Sequence, residues 1–283
     1  MNELICPAPA KLNLFLHVVG RRADGYHLLQ TVFRLLDYGD TLRLSLRADG
    51  QMRRTLDLPG VPTSDDLCLR AAQLLQSETG CQLGVDIHLD KRLPMGGGLG
   101  GGSSDAASVL LGLNRLWDLR LTRQQLQRFG LRLGADVPVF VFGQSAFAEG
   151  IGEALQAVSL PPAWYVVLVP PVSVSTQAIF SHPRLTRDSK IIKMADFSEA
   201  ENSEAGMRND LQALVCREYP GVAKHIAWLS QYGKARMTGS GACVFSAFDT
   251  EQAAHAVMAQ LPGDMRGFMA RGLDRHPLHD LVS

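Results

Sequence analysis

Six of the seven residues from 96 to 102 are glycine, with Leu99 the exception. Each glycine in regular structure costs roughly 0.5–1 kcal/mol relative to alanine, and a turn needs only one or two. The surplus fits a backbone whose N–H groups must come close to a ligand. Residues 83–90 alternate, with Val85, Ile87 and Leu89 on one side, which predicts a strand before the loop. Ala106, Val109, Leu110, Leu113 and Trp117 follow at helical spacing and predict a helix opening near Ser103. A helix N-terminus carries about half a positive charge. Strand, glycine loop and helix together make an anion site, most naturally for phosphate. The plainer reading, a flexible surface loop, is disfavoured by that setting.

Two phosphate motifs can be tested against the loop. Gly96-x-Gly98-x-x-Gly101 matches the dinucleotide fingerprint, but so dense a run matches almost automatically. It also comes too late for a first βαβ unit, and no acidic strand end follows at the expected distance. The Walker A pattern fails, because Gly102-Ser103 stands where Gly-Lys is needed. No Lys or Arg occurs between 93 and 114. Backbone amides and the helix terminus must therefore hold the phosphate, with any side-chain cation or metal supplied from elsewhere. Lys11 shares a strand face with Asn13, although alone it reads as a solvated strand-end lysine. His276-x-x-His279 lacks a third ligand and reads as a surface pair.

The elements that must position these groups are legible in outline. Strands are predicted at 11–19, 26–36, 41–47 and 83–90, and a hairpin at 145–149 and 153–158. Further strands are expected at 164–169, 235–238, 242–248 and 266–272. A helix capped by Ser64 should end at Gly80, and the capping box Thr122-x-x-Gln125 opens another that Gly134 stops. Pro138 suits the first turn of a short helix. Helices are expected near 209–218, 221–231 and 250–261, with loop at 181–206. Strands and helices mix without strict alternation, so the class is α+β. At 283 residues two domains are expected, 1–160 and 161–283, divided near Pro161-Pro162.

The charges balance, 28 basic against 28 acidic, which excludes a general nucleic-acid partner. No apolar run approaches the ~18 residues that span a membrane. The first residues show no basic or long apolar targeting character. Five cysteines without C-x-x-C spacing predict reduced thiols and a cytoplasmic protein, with neither disulfide nor zinc.

Leu93-Pro94-Met95-Gly96-Gly97-Gly98-Leu99-Gly100-Gly101-Gly102-Ser103-Ser104-Asp105-Ala106-Ala107 resembles the central motif of the GHMP kinases. Pro9-Ala10-Lys11-Leu12-Asn13-Leu14 and Met237-Thr238-Gly239-Ser240-Gly241-Ala242 resemble that superfamily's N-terminal and C-terminal motifs. Arg22-Ala23-Asp24-Gly25-Tyr26-His27, Gly134-Ala135-Asp136-Val137-Pro138 and Ala148-Glu149-Gly150-Ile151-Gly152-Glu153 are similar to one branch of it. That branch phosphorylates a hydroxyl of a cytidine-diphosphate-linked methylerythritol, with ATP and Mg²⁺, in non-mevalonate isoprenoid synthesis. The resemblance runs from about 7 to 280. It implies a ribosomal-protein-S5-like N-terminal domain and a ferredoxin-like C-terminal domain.

By the same resemblance Lys11 and Asp136 are the catalytic pair. Asp136 takes the substrate hydroxyl's proton, and it could equally cap the following helix. Asn13 positions the substrate. Pro94 to Gly102, with Ser103 and Ser104, hold the nucleotide, and Lys91 and Asp66 border the adenine. Tyr26, His27 and Phe180 enclose the cytosine; alone, Tyr26 and His27 could be a partly buried pair. Thr238, Gly239 and Ser240 lie near the transferred phosphate. The metal ligands are left open, including any part for Asp105, and so is the choice between monomer and homodimer. The alternatives are a kinase of homoserine, mevalonate or phosphomevalonate, a nucleotide-dependent oxidoreductase, and a non-catalytic nucleotide-binding module.

Overall fold

The computed structural model describes residues 2–194, 197 and 207–282. Two long strands, β1 (Glu3–Arg21) and β2 (His27–Arg47), form an antiparallel ribbon. The expected break between 36 and 41 is absent, because Gly39 serves close approach and not a turn. A Cβ there would lie 2.2 Å from the Ala8 carbonyl oxygen, so only glycine lets the strands pass. β2 also pairs with β4 (Gly84–Asp90), which carries a short parallel β3 (Met52–Arg54) that periodicity did not signal. The hairpin β5 (Ala146–Glu149) and β6 (Ala154–Ala157) pairs with β2 through β5.

Beyond Pro162 come β7 (Trp164–Leu168), β8 (Arg236–Met237), β9 (Val244–Phe248) and β10 (Gly267–Leu273). They pair in the order β10-β7-β9-β8, and β10 joins β2 at Leu35 and Leu36. The pairing is antiparallel throughout except β3 with β4, as an α+β fold requires and a doubly wound sheet does not.

Helices α1 (Leu67–Thr79), α2 (Gly101–Leu116), α3 (Arg123–Leu133) and α4 (Val137–Phe142) pack with β2 and β4 in one apolar cluster. Helices α6 (Gln212–Glu218), α7 (Pro220–Leu229) and α8 (Glu251–Met258) pack with β7 and β9 in another. A short helix, α5 (Thr176–Ser181), stands between them in sequence where no helix was expected, capped by the Ser175 hydroxyl. Part of the predicted 181–206 loop, at 195–196 and 198–206, lies outside the described residues.

Two expectations are corrected. Ser64 does not cap α1. Asp66 does, its Oδ1 accepting from the Cys68 and Leu69 N–H groups, because 63–65 forms a 3-10 turn first. His276 is not a surface residue. It is buried, its Nδ1 accepts from Leu278 N–H at 3.0 Å, and burial pulls its pKa down to about 3. The Thr122–Gln125 capping box and the Gly80 stop occur as expected. Among the described residues no helix is long and apolar enough to cross a membrane.

Candidate active site

β1 brings Lys11 and Asn13 to the centre of the molecule. The Lys11 ammonium is 2% exposed and has three acceptors. It donates to Asn13 Oδ1 at 2.6 Å and to the Gly98 carbonyl at 3.0 Å, and it lies 3.3 Å from Asp136 Oδ2. An ammonium has three N–H groups, so all three are directed. Asp136 precedes α4 at the N-cap position, yet its side chain caps nothing. The carboxylate is 38% exposed and faces the lysine. The capping role expected as one alternative for Asp136 is not seen.

The glycine loop closes around this pair. Gly96, Gly98 and Gly100 have φ of +68°, +77° and +73°, a region that favours glycine. A Cβ on Gly98 would lie 2.3 Å from the Thr238 carbonyl oxygen. Lys11 N–H donates to the Leu99 carbonyl, and Cys243 N–H to the Gly97 carbonyl. The loop is therefore pinned between β1 and the turn 238–243, and then opens into the N-terminus of α2.

Three clefts meet here. One of about 380 Å³ is lined by Val61, Asp66, Lys91, the residues Pro94 to Gly102, and Ser103. A second, of about 310 Å³, contains Lys11, Asn13, Asp136, Gly239 and Ser240, and shares Gly96, Gly98 and Ser103 with the first. A third, of about 520 Å³, contains Tyr26 and His27, and shares Thr176, Phe180, Leu29 and Ile151 with the second. The result is one trough with Lys11 and Asp136 at its waist. A phosphoryl group arriving over the glycine loop would meet a hydroxyl offered from the other side.

Residues 66–144 match the GHMP kinases N terminal domain, and residues 191–266 match GHMP kinases C terminal. The 4-diphosphocytidyl-2-C-methyl-D-erythritol kinase of Thiobacillus denitrificans is 64% identical over 277 residues, 98% of both chains. That of Nitrosospira multiformis is 60% identical over 99% of this chain and 95% of its own. A crystal structure of 4-(cytidine 5'-diphospho)-2C-methyl-D-erythritol kinase superposes with a TM-score of 0.81 at 32% identity, covering 95% of this chain and 99% of that one. The chain belongs to the 4-diphosphocytidyl-2-C-methyl-D-erythritol kinase family of GHMP kinases. A mevalonate kinase structure, at 15% identity and a TM-score of 0.68, shares the fold. Membership makes the chain an ATP-dependent small-molecule kinase and removes the oxidoreductase and binding-module alternatives.

Most of the residues expected to serve a GHMP kinase come together in the trough, but two do not enter it. Ser104 is fully buried and its hydroxyl donates to the Pro9 carbonyl at 2.7 Å, so it anchors α2 to β1. Thr238 is also fully buried. Its hydroxyl accepts from Asn13 N–H at 2.9 Å and faces the Gly98 carbonyl, so it lies behind the loop. Motif membership does not reveal which of two neighbouring residues points inward.

Several contributors escaped the sequence reading. Thr176, whose hydroxyl lies 2.7 Å from Ser240 Oγ, lines both the waist and the third cleft. Asp40 anchors the entry to the glycine loop, Oδ1 accepting from the Arg92 and Leu93 N–H groups. Its Oδ2 and Asp105 Oδ2 accept from Lys91 Nζ at 2.5 and 2.8 Å. Arg123 grips the far end of α4, donating to the Val141 carbonyl and to those of His279 and Val282. A Cys or Gly run would have drawn attention to these positions, but a lone Asp or Arg in a strand or helix does not.

The Lys91 cluster gives a pH prediction. Burial is the main force pushing the Asp105 carboxyl up to about 7; the Lys91 ammonium opposes it and Asp40 adds to it. Burial alone would lower Lys91, but Asp105 and Asp40 hold it above its ordinary value. A carboxyl raised in the folded state stabilises while protonated, so that stability is lost as pH rises from 3.8 to about 7. Denaturant unfolding should show stability falling over that window more steeply in the native protein than in Asp105→Asn. Equal slopes would refute the assignment.

Proposed function

We propose that the chain transfers the γ-phosphoryl group of ATP to a hydroxyl of 4-diphosphocytidyl-2-C-methyl-D-erythritol, the reaction expected of a step in non-mevalonate isoprenoid synthesis. The observation that carries this reading is the Lys11–Asp136 contact at the waist between a glycine-lined cleft and an aromatic-lined one. The relatives' names supply the identity of the second substrate.

In this reading the triphosphate lies along Gly96 to Gly102, held by loop amides and the positive end of α2. Asp136 takes the proton of the acceptor hydroxyl as its oxygen attacks the γ-phosphorus, and ADP leaves. Lys11 offsets charge on the transferring group. Its bond to Asp136 is the longest of its three, so it is the one exchanged when the hydroxyl arrives. Phosphoryl transfer needs such positioning and charge more than covalent help. Asn13 is held by Thr31 Oγ1, which accepts from its Nδ2 at 3.0 Å, and keeps Lys11 aimed.

The family implies Mg²⁺. The described residues hold no cluster of three or more His, Cys, Asp or Glu that would bind a metal alone. Magnesium commonly takes one or two protein oxygens plus substrate phosphates, and the donor set at the waist fits that pattern. The Ser103 hydroxyl, which lines both clefts, would hold it together with the substrate phosphates, and it would neutralise charge on those phosphates.

Tyr26 is 61% exposed at the rim of the third cleft, presented by the Arg22–Gly25 turn, and Phe180 lines the same cleft. They offer flat faces to a pyrimidine. Tyr26→Ala should raise KM for the cytidylyl substrate about tenfold with little change in kcat, since one stacked base is worth roughly 1–3 kcal/mol. An unchanged KM would remove the stacking role. The reaction itself is tested by mass spectrometry. ATP, Mg²⁺ and the cytidylyl substrate should yield ADP and one added phosphate, whereas turnover of homoserine or mevalonate instead would overturn the reading.

Two further proposals are coarser. Residues 1–160 and 161–283 act as two units, supported by one family match falling in each; Leu278 and Val282, which pack into the first core, cross that division. The five free thiols support a reducing, cytoplasmic setting.

A further inference from the structure

Arg187 lies in the segment after α5, 160 positions from His27, and its guanidinium joins the two walls of the aromatic cleft. Nε donates to His27 Nε2 at 3.0 Å. Nη2 donates to the Phe180 and His182 carbonyls at 3.0 and 2.8 Å, and Nη1 to the Leu185 carbonyl at 3.0 Å. The His27 ring packs on Phe180 with centroids 5.1 Å apart and lines the cleft. Among the described residues nothing bonds its Nδ1.

The chemistry of the pair settles where the imidazole proton sits. A guanidinium stays protonated in proteins and has no acceptor, so Arg187 Nε–H can only donate. His27 Nε2 must then be the acceptor. A neutral imidazole with Nε2 accepting carries its proton on Nδ1. The doubly protonated form would set two N–H groups against each other. Burial, then Arg187, then Arg21 hold the His27 pKa below its ordinary value, which also favours the neutral ring. Besides Arg21, the charged group lining the cleft is Asp24, which is paired with Arg22.

We propose that Arg187 is a specificity-determining positioning residue, which fixes His27 as the Nδ1–H tautomer so that the base cleft presents a hydrogen-bond donor. Cytosine and uracil are nearly the same size and differ at this edge. Cytosine N3 is an acceptor beside the O2 acceptor, whereas uracil N3 carries a proton. An Nδ1–H donor completes a bond with cytosine and confronts uracil with donor against donor. A buried polar group left unpaired in this way costs enough to weaken the wrong ligand by about ten- to a hundredfold. Shape and stacking do not separate the two bases, so a hydrogen-bonding group must, and the fixed tautomer supplies one. This inference rests on the proposed cytidylyl substrate.

Two measurements test it. The first is long-range ¹H–¹⁵N correlation on the whole protein with ¹⁵N-labelled histidine, the His27 signals assigned by their loss in His27→Gln. Nδ1 should appear protonated and Nε2 unprotonated, and Arg187→Gln should give a mixture of tautomers. A protonated Nε2 in the native protein would overturn the proposal. The second is the ratio of kcat/KM for the cytidylyl acceptor to that for its uridylyl counterpart. It should fall from about a hundred toward one in Arg187→Gln. Arg187→Lys, whose ammonium also only donates, should keep most of the ratio; a ratio unchanged in Arg187→Gln would overturn the proposal. Should neither acceptor turn over while the native tautomer and its loss in Arg187→Gln are seen, the tautomer relay stands and the substrate reading falls.

Discussion

Asp136→Asn should lower kcat by about 10²–10⁴-fold, the usual contribution of a positioned general base, while ATP still binds. Asparagine matches the carboxylate in shape but does not take the hydroxyl's proton. The side chain caps no helix N–H and the site is partly exposed, so the fold should tolerate the change. KM for ATP should move little, because Asp136 lines the cleft that holds Lys11 and not the glycine-lined one. Steady-state kinetics with a parallel nucleotide titration separates the two effects. Retention of most of the native kcat would remove Asp136 from the mechanism. Lys11→Ala is a less clean probe. It leaves the buried Asn13 Oδ1 and the Gly98 carbonyl short of a donor, so stability and activity should fall together.

Gly98→Ala should destabilise the protein by about 2–5 kcal/mol and abolish nucleotide binding. Two penalties add at that position. A non-glycine residue in left-handed backbone costs roughly 1–2 kcal/mol. The new methyl would also lie 2.3 Å from the Thr238 carbonyl oxygen, and overpacking a tight contact costs typically 1–3 kcal/mol. Relief requires the loop to move off the 238–241 turn. That movement withdraws the Gly98 carbonyl from Lys11, so the glycine-lined cleft and the aim of Lys11 are lost together. Gly102→Ala is the internal control: its nearest neighbour is Leu67 Cδ1 at 3.5 Å, ordinary contact, inside helix α2. Denaturant unfolding of the two variants should therefore diverge, and ATP titration of Gly98→Ala should show the lost binding. Equal behaviour would mean that the glycines are needed only collectively.

What could be read in the chain was what repeats or clusters. The glycine run announced a phosphate cradle because its composition is costly without a ligand. Alternation found β1 and β4, a continuous apolar run found β7, and capping chemistry found the start of α3. What could not be read was direction and distant partnership. Ser103 and Ser104 are adjacent and chemically identical, and only their position around the α2 axis turns one to the cleft and the other to Pro9. Gly39 falls in the gap left between two predicted strands, whereas its place is inside one strand, where it lets Ala8 come close. Arg187 meets His27 across 160 positions, and Asp40 meets Lys91 across 51, with no periodicity to mark either. The helix α5 is six residues long, too short for an apolar stripe to register.

The grip of Arg123 on α4 bears on the order in which the enzyme becomes competent. Two of the carbonyls it holds, from His279 and Val282, belong to residues made more than 140 positions after Asp136. At about 5–20 residues per second, a ribosome reaches them roughly seven to thirty seconds after it has placed Asp136. During that interval the nascent chain has its glycine loop, Lys11 and Asp136, and Arg123 can reach the Val141 carbonyl, but its two contacts to the last residues are not yet made. The waist of the trough is thus written early and locked late, by the same guanidinium that bridges the two stretches.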